Sequence, residues 1–174
     1  MAKNQIIVRA AQSDDAADIA AIFDEQSVVA ETSQLPFRSV EFWQDFYKNA
    51  NPAAVELVAC IDSKVVGHLG LLPDTRPRRR HVASFGLAVH ADFHRQGVAA
   101  ALMDEMINVA DNWLNLLKIS LSVYSDNHGA IALYERYGFV REGESRYDTF
   151  RKGRYAHSLS MARFHPQQIS ELEI

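Results

Sequence analysis

Apolar residues recur with two different spacings along this chain, and the change of spacing predicts the order of helices and strands. Alternating or continuous apolar runs predict strands at residues 5–10, 54–61, 65–72, 81–89, 117–123, 139–150 and 154–164. Apolar residues three and four apart predict helices at about 14–29, between Ser39 and Asn51, and at about 97–115 and 127–137. The predicted element order is β-α-α-β-β-β-α-β-α-β-β.

Polar residues at the ends of these segments mark the predicted helix limits. Ser13 is expected to cap the first helix, with two aspartates in the first turn, where the helix dipole favours anions. Ser39 is expected to cap the second helix, Asp126 or Asn127 the last, and Gly138 to end it. In the first helix one face carries Ile19, Ile22, Phe23 and Gln26, three of them apolar. In the long helix the apolar stripe is expected to be Val98, Leu102, Met106 or Ile107, Val109 and Trp113.

This order mixes hairpins with strand–helix–strand crossovers, which predicts an α/β (α+β) fold with a mixed, mostly antiparallel sheet and helices on both faces. Strand 81–89, helix 97–115 and strand 117–123 would form a right-handed βαβ unit. The chain has 174 residues, so a single domain over 1–174 is expected.

Composition narrows the class of function. The net charge is −4, which disfavours a nucleic-acid-binding domain, although residues 76–80 (RPRRR) are a basic cluster. Cys60 is the single cysteine, so neither an intrachain disulfide nor a cysteine-based zinc site is expected. Because the sequence contains neither an apolar run of membrane-spanning length nor a signal-peptide pattern, we expect a cytoplasmic protein with no membrane partner.

The first stretch that carries chemistry is residues 85–107, where a strand leads through a short loop into a glycine-opened helix. Backbone N–H groups at such a helix start, helped by the helix dipole, form a cradle for a phosphate or diphosphate. The stretch contains neither a dinucleotide-binding GxGxxG nor a P-loop GK[ST]. An ordinary helix start is the alternative interpretation.

The second stretch is residues 122–140, which contain N-x-x-A-I-x-L-Y-x-x-x-G-F. With this motif following the loop His94-Arg95-Gln96-Gly97-Val98-Ala99, the chain resembles the GNAT superfamily of acetyl-CoA-dependent N-acetyltransferases, whose loop reads Q/R-x-x-G-x-G/A. His94 stands where that family usually has Gln or Arg, and Arg95 is the alternative source of the cation.

A closer resemblance, from about residue 6 to 163, is to the AaaT type of amino-acid N-acetyltransferases. The residues that carry it include LVACIDSKVVGHLGL, RPRRRHVASFGLAV and DNWL. It implies acetylation of the α-amine of a free apolar amino acid such as phenylalanine or methionine. GNAT enzymes are often dimers, so the resemblance also implies a homodimer.

The resemblance assigns site residues by position. Acetyl-CoA would be held by main-chain groups of strand 81–89, by the glycine loop and by the cap of the last helix: Leu87, Ala88, Val89, His94, Arg95, Gln96, Gly97, Val98, Ala99, Asn127 and Tyr134. Tyr134 would be the general acid for the coenzyme A sulfur; a packing role is the alternative. The acceptor would be lined by Glu31, Thr32, Leu35, Pro36 and Tyr155.

The residues leave the general base open among His68, Glu31 and a chain of water molecules. No metal is expected, since His90 and His94 are predicted to lie in a loop without a third ligand. An acetyl-cysteine intermediate is not expected, because Cys60 lies in mid-strand with no histidine in its motif.

Three other functions remain as alternatives. The same chemistry could serve a phosphinothricin-like compound, a polyamine or a protein N-terminus. The chain could bind acyl-CoA as a sensor without turnover. The arginines of residues 76–80 could bind RNA, a carboxylate or the 3′-phosphate of the cofactor, although a solvated hairpin loop is the favoured interpretation.

Overall fold

The computed structural model describes residues 5–169, and it contains the strands in the predicted order. The strands are β1 (Ile7–Ala10), β2 (Val55–Ile61), β3 (Lys64–Pro73), β4 (Val82–Val89), β5 (Lys118–Tyr124), β6 (Val140–Arg151) and β7 (Arg154–Phe164). The helices are α1 (Ala16–Asp24), α2 (Gln26–Val29), α3 (Val40–Lys48), α4 (Val98–Asn112), α5 (His128–Arg136) and α6 (Pro166–Ile169). Short 3-10 turns lie at Ser13–Asp15, Pro77–Arg79 and Ala91–Phe93.

The seven strands form one mixed sheet in the order β1-β2-β3-β4-β5-β7-β6. The β1–β2, β2–β3, β5–β7 and β6–β7 pairs are antiparallel, whereas β4 and β5 run parallel, as a crossover through a helix requires. The predicted α/β class with a mostly antiparallel sheet is confirmed. Among the described residues, none of the helices combines the length and apolar character needed to cross a membrane.

The chain divides into two compact units, which are described separately. The first comprises the residues up to Leu71 together with Gly86–Ile107, and the second comprises Leu72–Phe85 and the residues from Asn108 onward. The core of the first unit joins α1, α2 and α3 to the sheet, and its buried members are Ala16, Ile19, Ile22, Phe23, Val28, Trp43, Val58, Cys60, Val65 and Ala88.

Helices cover both faces of β3 within the first unit. A Cβ placed on Gly67 would lie 2.7 Å from Val98 and 3.0 Å from Leu102, so this face meets α4 at close range. The next residue, His68, points to the opposite face, where its ring meets Phe23 and Trp43. Gly67 therefore permits the close approach of α4 to the sheet.

The first predicted helix is wrong in two respects. It is interrupted at Glu25, whose backbone is extended (φ −68°, ψ 115°), so that α1 and the short α2 are separate. Ile19, Ile22 and Phe23 are buried as predicted. The fourth position on this face is the polar and exposed Gln26, so the apolar stripe that packs α1 on the core ends at Phe23. Ser13 is also not the N-cap, because Gln12 precedes the first turn.

The long helix α4 ends earlier than predicted. Its stripe runs through Val98, Leu102, Met106 and Ala110, all at most 1% exposed. Trp113 lies beyond the last helical residue and is 79% exposed, so its predicted place in the stripe is wrong. Asn115 follows with φ 52°, a left-handed backbone that asparagine tolerates and that takes the chain out of the helix.

The second unit contains the β5–β7–β6 part of the sheet and α5. The Asn127 side chain accepts a hydrogen bond from Ala130 N at 3.1 Å, which confirms it as the cap of α5. Gly138 has φ 82°, so the predicted glycine at the end of this helix is also confirmed. Arg163 on β7 makes a two-pronged pair with Asp111, both distances being 2.8 Å.

A partly buried ion pair joins the start of α1 to β1 in the first unit: the Asp15 side chain is 9% exposed and that of Arg9 is 37% exposed. Both terminal guanidinium nitrogens of Arg9 lie 2.7 Å from the Asp15 carboxylate, which also accepts from Gln12 N at 2.8 Å. Hydrogen bonds from Arg9 lower the pKa of Asp15. The stabilisation is therefore complete above the ordinary aspartate pKa of about 3.9 and is lost as pH falls through the lowered value of the folded state.

We expect Asp15→Asn to lower the free energy of unfolding by about 1.5–3 kcal/mol at pH 7, the usual value of hydrogen bonds to charged groups. The difference from the parent protein should shrink as pH falls from 5 toward 3, because the Asp15 carboxylate of the unfolded chain takes up a proton in this range while the paired carboxylate of the folded protein still resists protonation. Urea unfolding monitored by circular dichroism at several pH values measures the loss in free energy of unfolding and its dependence on pH. Asp14→Asn, at the exposed neighbouring aspartate, is the matched control. A difference that stays constant over this pH range would contradict the role given to the ion pair.

Candidate functional site

The loop that follows β4 has an irregular backbone that exposes the start of α4. His90 ends the strand by donating its N–H to Val66 O at 2.9 Å, and the 3-10 turn Ala91–Phe93 follows. Arg95 (φ 60°) and Gly97 (φ 90°) then adopt left-handed backbone conformations. Such alternation turns successive N–H groups toward one side and forms a concave anion-binding nest.

Two side chains of this loop brace it. His94 Nε2 lies 2.9 Å from Val89 O, and because a carbonyl only accepts, Nε2 carries the hydrogen. Gln96 Nε2 donates to Asp92 O at 2.9 Å. Arg95 makes no side-chain hydrogen bond or ion pair with any residue in the range 5–169, so it is the cation available to an anion at this loop.

The start of α4 adds further donors. Ala101 N donates to Gly97 O at 3.0 Å, so the intrahelical ladder begins with that bond. The N–H groups of Val98 and Ala99 precede it and have no carbonyl one turn earlier in the helix. Together with the positive end of the helix dipole, they suit a diphosphate. The loop chemistry therefore fits the predicted acetyl-CoA contacts of residues 94–99, except that His94 and Gln96 hold the loop itself.

The end of β4 presents its residues alternately. Ala88 is buried in the core of the first unit, whereas Leu87 and Val89 are half-buried. Because side chains alternate along a strand, Leu87 and Val89 face away from that core. These residues lie directly before the glycine loop, as the predicted cofactor contacts require.

His68 lies on the core face of β3 and is paired with a residue that the sequence analysis did not identify. Its Nε2 is 2.8 Å from Glu56 Oε2, and both side chains are about 90% buried, with 9% and 10% exposed. The register of the β2–β3 hairpin brings them together, since Val58 pairs with His68 and Glu56 with Gly70. The predicted base candidate is thus held by a buried carboxylate.

Aromatic rings surround this pair on the helix side. The ring of His68 meets the edges or faces of Phe23, Trp43 and Tyr47 at centroid distances of 6.2, 6.5 and 6.1 Å. Burial, and then the Glu56 and Asp15 carboxylates, raise the pKa of Tyr47, which keeps it a neutral phenol. The Tyr47 hydroxyl and Trp43 Nε1 are buried without a hydrogen-bond partner among the described residues.

The predicted acceptor segment lies after α2 in the same unit. Glu31 is exposed, and Thr32 Oγ1 donates to Val29 O at 3.2 Å, which turns the chain at the end of the helix. Leu35 is 64% exposed, Pro36 is exposed, and Phe37 is 90% exposed with φ 63°. The end of this segment therefore presents three consecutive apolar residues at the surface.

The second unit holds the remaining predicted residues. Tyr134 on α5 is 8% exposed, and its ring packs edge-on against Phe85 at 5.6 Å and near Phe139 at 5.9 Å. Burial raises the pKa of Tyr134 to about 12. Tyr155 on β7 is 65% exposed and contacts Phe150.

The arginine loop before β4 is largely occupied with its own structure. Asp74 accepts hydrogen bonds from Arg76 (2.6 and 2.9 Å) and from Arg79 (2.9 Å), and these bonds hold the pKa of Asp74 well below its usual range. Two of the clustered arginines therefore stabilise a turn, which favours the solvated-loop interpretation over an anion site.

Comparison with known proteins gives one family. The profile of the Acetyltransferase (GNAT) family matches residues 17–139. The L-amino acid N-acetyltransferase AaaT of Escherichia coli K12 is 42% identical over 160 residues, which are 92% of this chain and 98% of that protein. The similarity to AaaT therefore extends over nearly the full length of both chains.

Solved structures share the fold. Spermidine N-acetyltransferase from Vibrio cholerae, in complex with CoA and spermine, superposes with a TM-score of 0.83 at 24% identity, covering 95% of this chain and 98% of that one. The acetyltransferase YncA from Salmonella typhimurium, solved with acetyl-CoA, gives a TM-score of 0.82 at 18% identity, covering 94% and 96%. At these identities the likeness concerns the fold alone.

Proposed function

The chain belongs to the acetyltransferase (GNAT) family and is an N-acetyltransferase, and we propose that its acceptor is the α-amine of a free apolar L-amino acid. The observation that carries the proposal is the 42% identity with an L-amino acid N-acetyltransferase over 98% of that relative. The exposed apolar residues Leu35, Pro36 and Phe37 support the proposal that the acceptor has an apolar side chain. Acetyl-CoA is the acetyl donor in this proposal.

We assign the diphosphate of acetyl-CoA to the glycine loop. The N–H groups of the loop and of Val98 and Ala99 would hold it, and Arg95 would supply the cation. His94 and Gln96 support the loop rather than contact phosphate, because their side chains bond Val89 O and Asp92 O. Main-chain donors near Leu87, Ala88 and Val89 would polarise the thioester carbonyl, and Asn127 would contact the cofactor from the cap of α5.

Tyr134 is proposed to act on the coenzyme A sulfur. With a pKa of about 12 the phenol is neutral throughout the physiological range, and it is a weaker acid than a thiol, whose ordinary value is about 8.5. Complete proton transfer to the leaving thiolate would therefore be uphill. Tyr134 would instead donate a hydrogen bond that stabilises the thiolate as the carbon–sulfur bond breaks, with solvent supplying the proton afterwards.

His68 is proposed as the general base, with Glu31 and a water chain as alternatives. His68 is supported by its place on the sheet: extending the His90–Val66 hydrogen bond two residues along the antiparallel ladder places His68 opposite Ala88, at the end of β4. Glu31 is exposed at the end of α2, where it would attract the acceptor ammonium. Thr32 and Tyr155 remain candidates for the acceptor wall.

The test is free-thiol release from acetyl-CoA with a panel of amines. Phenylalanine and methionine should give the largest kcat/KM, above their α-amides, spermidine and a peptide with a free N-terminus. A preference for spermidine would favour the polyamine alternative, which a 29% identity with the E. coli spermidine N(1)-acetyltransferase over 66% of this chain supports. Binding of acetyl-CoA with no thiol release for any amine would favour the sensor alternative.

Direct transfer predicts that Cys60 is dispensable. Its side chain is 6% exposed, and burial raises the pKa of its thiol, so little thiolate is present to form an acetyl-enzyme. We expect Cys60→Ala to keep kcat/KM within about twofold, as expected for a residue outside the chemical step. Double-reciprocal plots should intersect. Parallel lines, with acetyl found on Cys60 by mass spectrometry, would overturn direct transfer.

We also place the enzyme in the cytoplasm, which its single free cysteine supports, and we expect a homodimer, as in many related enzymes. Light scattering of the purified protein measures its molar mass and so distinguishes a monomer from a dimer.

A further inference from the structure

Glu56 is a buried carboxylate that none of the roles described above uses. Its side chain is 10% exposed, and its oxygen lies 2.8 Å from His68 Nε2. We propose that Glu56 is a positioning residue that fixes the tautomer and orientation of His68, so that Nδ1 is the atom that accepts the acceptor's proton. This inference rests on the proposed function, since it assigns the general base of that same site.

The hydrogen-bond chemistry sets the tautomer. A carboxylate only accepts, so Nε2 of a neutral His68 carries the hydrogen and Nδ1 keeps its lone pair. Nδ1 makes no hydrogen bond with any of residues 5–169. The neutral ring therefore presents one free basic nitrogen, which is the state that a general base needs.

The sheet provides space for the carboxylate. A Cβ on Gly70 would lie 2.7 Å from Glu56 Oε2 and 3.1 Å from Oε1, so a side chain at this position would displace the carboxylate. Gly70 has no positive φ, and it pairs directly with Glu56 across the hairpin. The absence of a side chain at Gly70 thus leaves Glu56 free to lean toward His68.

The surroundings of His68 contain few other titratable groups. From α3 it meets Tyr47, which stays neutral because burial and nearby carboxylates raise its pKa, and from α1 it meets Phe23. Arg9 pairs with Val58 across β1 and β2, and Val58 pairs with His68 across β2 and β3, so Arg9 and His68 lie on the same face of the sheet. The charge of Arg9 is offset by that of its partner Asp15. Among the described residues, Glu56 is the charged group within hydrogen-bond distance of His68.

The proton balance of the step is simple. The amine nitrogen forms a bond to the acetyl carbonyl carbon, and the carbon–sulfur bond breaks with its electron pair going to sulfur. The acceptor ammonium first releases one proton to solvent, and the amine nitrogen then gives a second proton to His68 Nδ1 as it bonds to carbon. The Nε2–H of the resulting imidazolium stays hydrogen-bonded to the Glu56 carboxylate. The imidazolium later releases its proton to solvent, and the thiolate takes one up.

Glu56→Gln tests the proposal because glutamine has the same shape and its amide oxygen can still accept from Nε2. The variant loses only the negative charge, so the imidazolium is less stabilised. We expect kcat/KM to fall about tenfold, the factor that corresponds to weakening the imidazolium by about one pKa unit, and the acid limb of its pH profile to move about one unit lower. In a His68→Gln background the same substitution should have no effect.

The control readout does not depend on activity. Long-range nitrogen–hydrogen NMR of the imidazoles, with the His68 signals assigned by their loss in His68→Gln, should show hydrogen on Nε2 and a bare Nδ1 at pH 8. Thermal melting and CoA binding of Glu56→Gln should match the parent protein.

An Nδ1–H tautomer, an unmoved acid limb, or an equal loss in the His68→Gln background would overturn the role of Glu56. A parent protein that acetylates no amine while showing the Nε2–H tautomer would instead overturn the proposed function.

Discussion

Tyr134→Phe should lower kcat for thiol release about a hundredfold, the lower end of the usual cost of removing one hydrogen-bond donor to charge that develops in the transition state. The KM for acetyl-CoA should change little, because the hydroxyl is proposed to act mainly as charge develops on sulfur. Phenylalanine keeps the ring that packs on Phe85 and Phe139, so the variant should fold normally. Steady-state kinetics with the best acceptor of the panel measures the effect.

The pH profile gives a second check on the same residue. Since the pKa of Tyr134 is raised to about 12, its hydroxyl stays protonated and should contribute no basic limb below about pH 11. Tyr147→Phe, at a 71% exposed tyrosine on β6, is the matched control and should keep parent activity. An unchanged kcat in Tyr134→Phe would leave acetyl transfer standing and return Tyr134 to a packing role.

Local motifs in the sequence were sufficient to predict one part of the candidate site. The Asn127 cap and the Gly138 end of α5 depend on residues within one turn of each other, and both are confirmed. The glycine of the loop after β4 likewise has the positive φ that its position in the motif suggests. In each case the deciding interactions lie between near neighbours in the chain, so residue type and spacing carry the information.

The Glu56–His68 pair could not be predicted, because it depends on a bulge. The turn at Asp62 and Ser63 pairs Cys60 with Val65, and an unbroken ladder would then place His68 opposite Leu57, on the other face from Glu56. The shift between Ala59 and Cys60 pairs Val58 with His68 instead, and this moves His68 to the face of Glu56. A one-residue irregularity with no clear sequence signal decides the chemistry of this face.

The errors at the helix ends have a related cause. Trp113 has the spacing of the apolar stripe, but the helix stops at Asn112, so spacing alone could not show that the tryptophan lies outside it. At Glu25 the chain leaves the helix even though glutamate is a good helix former. Periodicity shows which residues would share a helix face, but it does not report where the backbone leaves the helix.

Gly97→Ala should weaken acetyl-CoA binding about fivefold to thirtyfold, because a non-glycine residue held at such a φ costs roughly 1–2 kcal/mol. Space is not the reason: the nearest atom to a Cβ on Gly97 is a terminal carbon of Ile6, at 3.8 Å. The substitution acts through the backbone at φ 90°, which alanine relieves by turning the loop and its N–H groups away from the diphosphate. Calorimetric titration with CoA measures the loss.

Gly86→Ala separates this backbone effect from the mere addition of a methyl group. Gly86 lies in β4, no atom lies within 4 Å of its added Cβ, and its φ is not positive, so CoA affinity should stay at the parent value. If both variants bind CoA as the parent does, the glycine loop is not the diphosphate site. If Gly97→Ala weakens the binding of CoA and of dephospho-CoA equally, the lost contacts do not involve the 3′-phosphate, by which alone the two ligands differ, and this agrees with a loop that holds the diphosphate. The loop would then act through its main chain, which explains how His94 can stand at its first position without contributing a side-chain contact to the ligand.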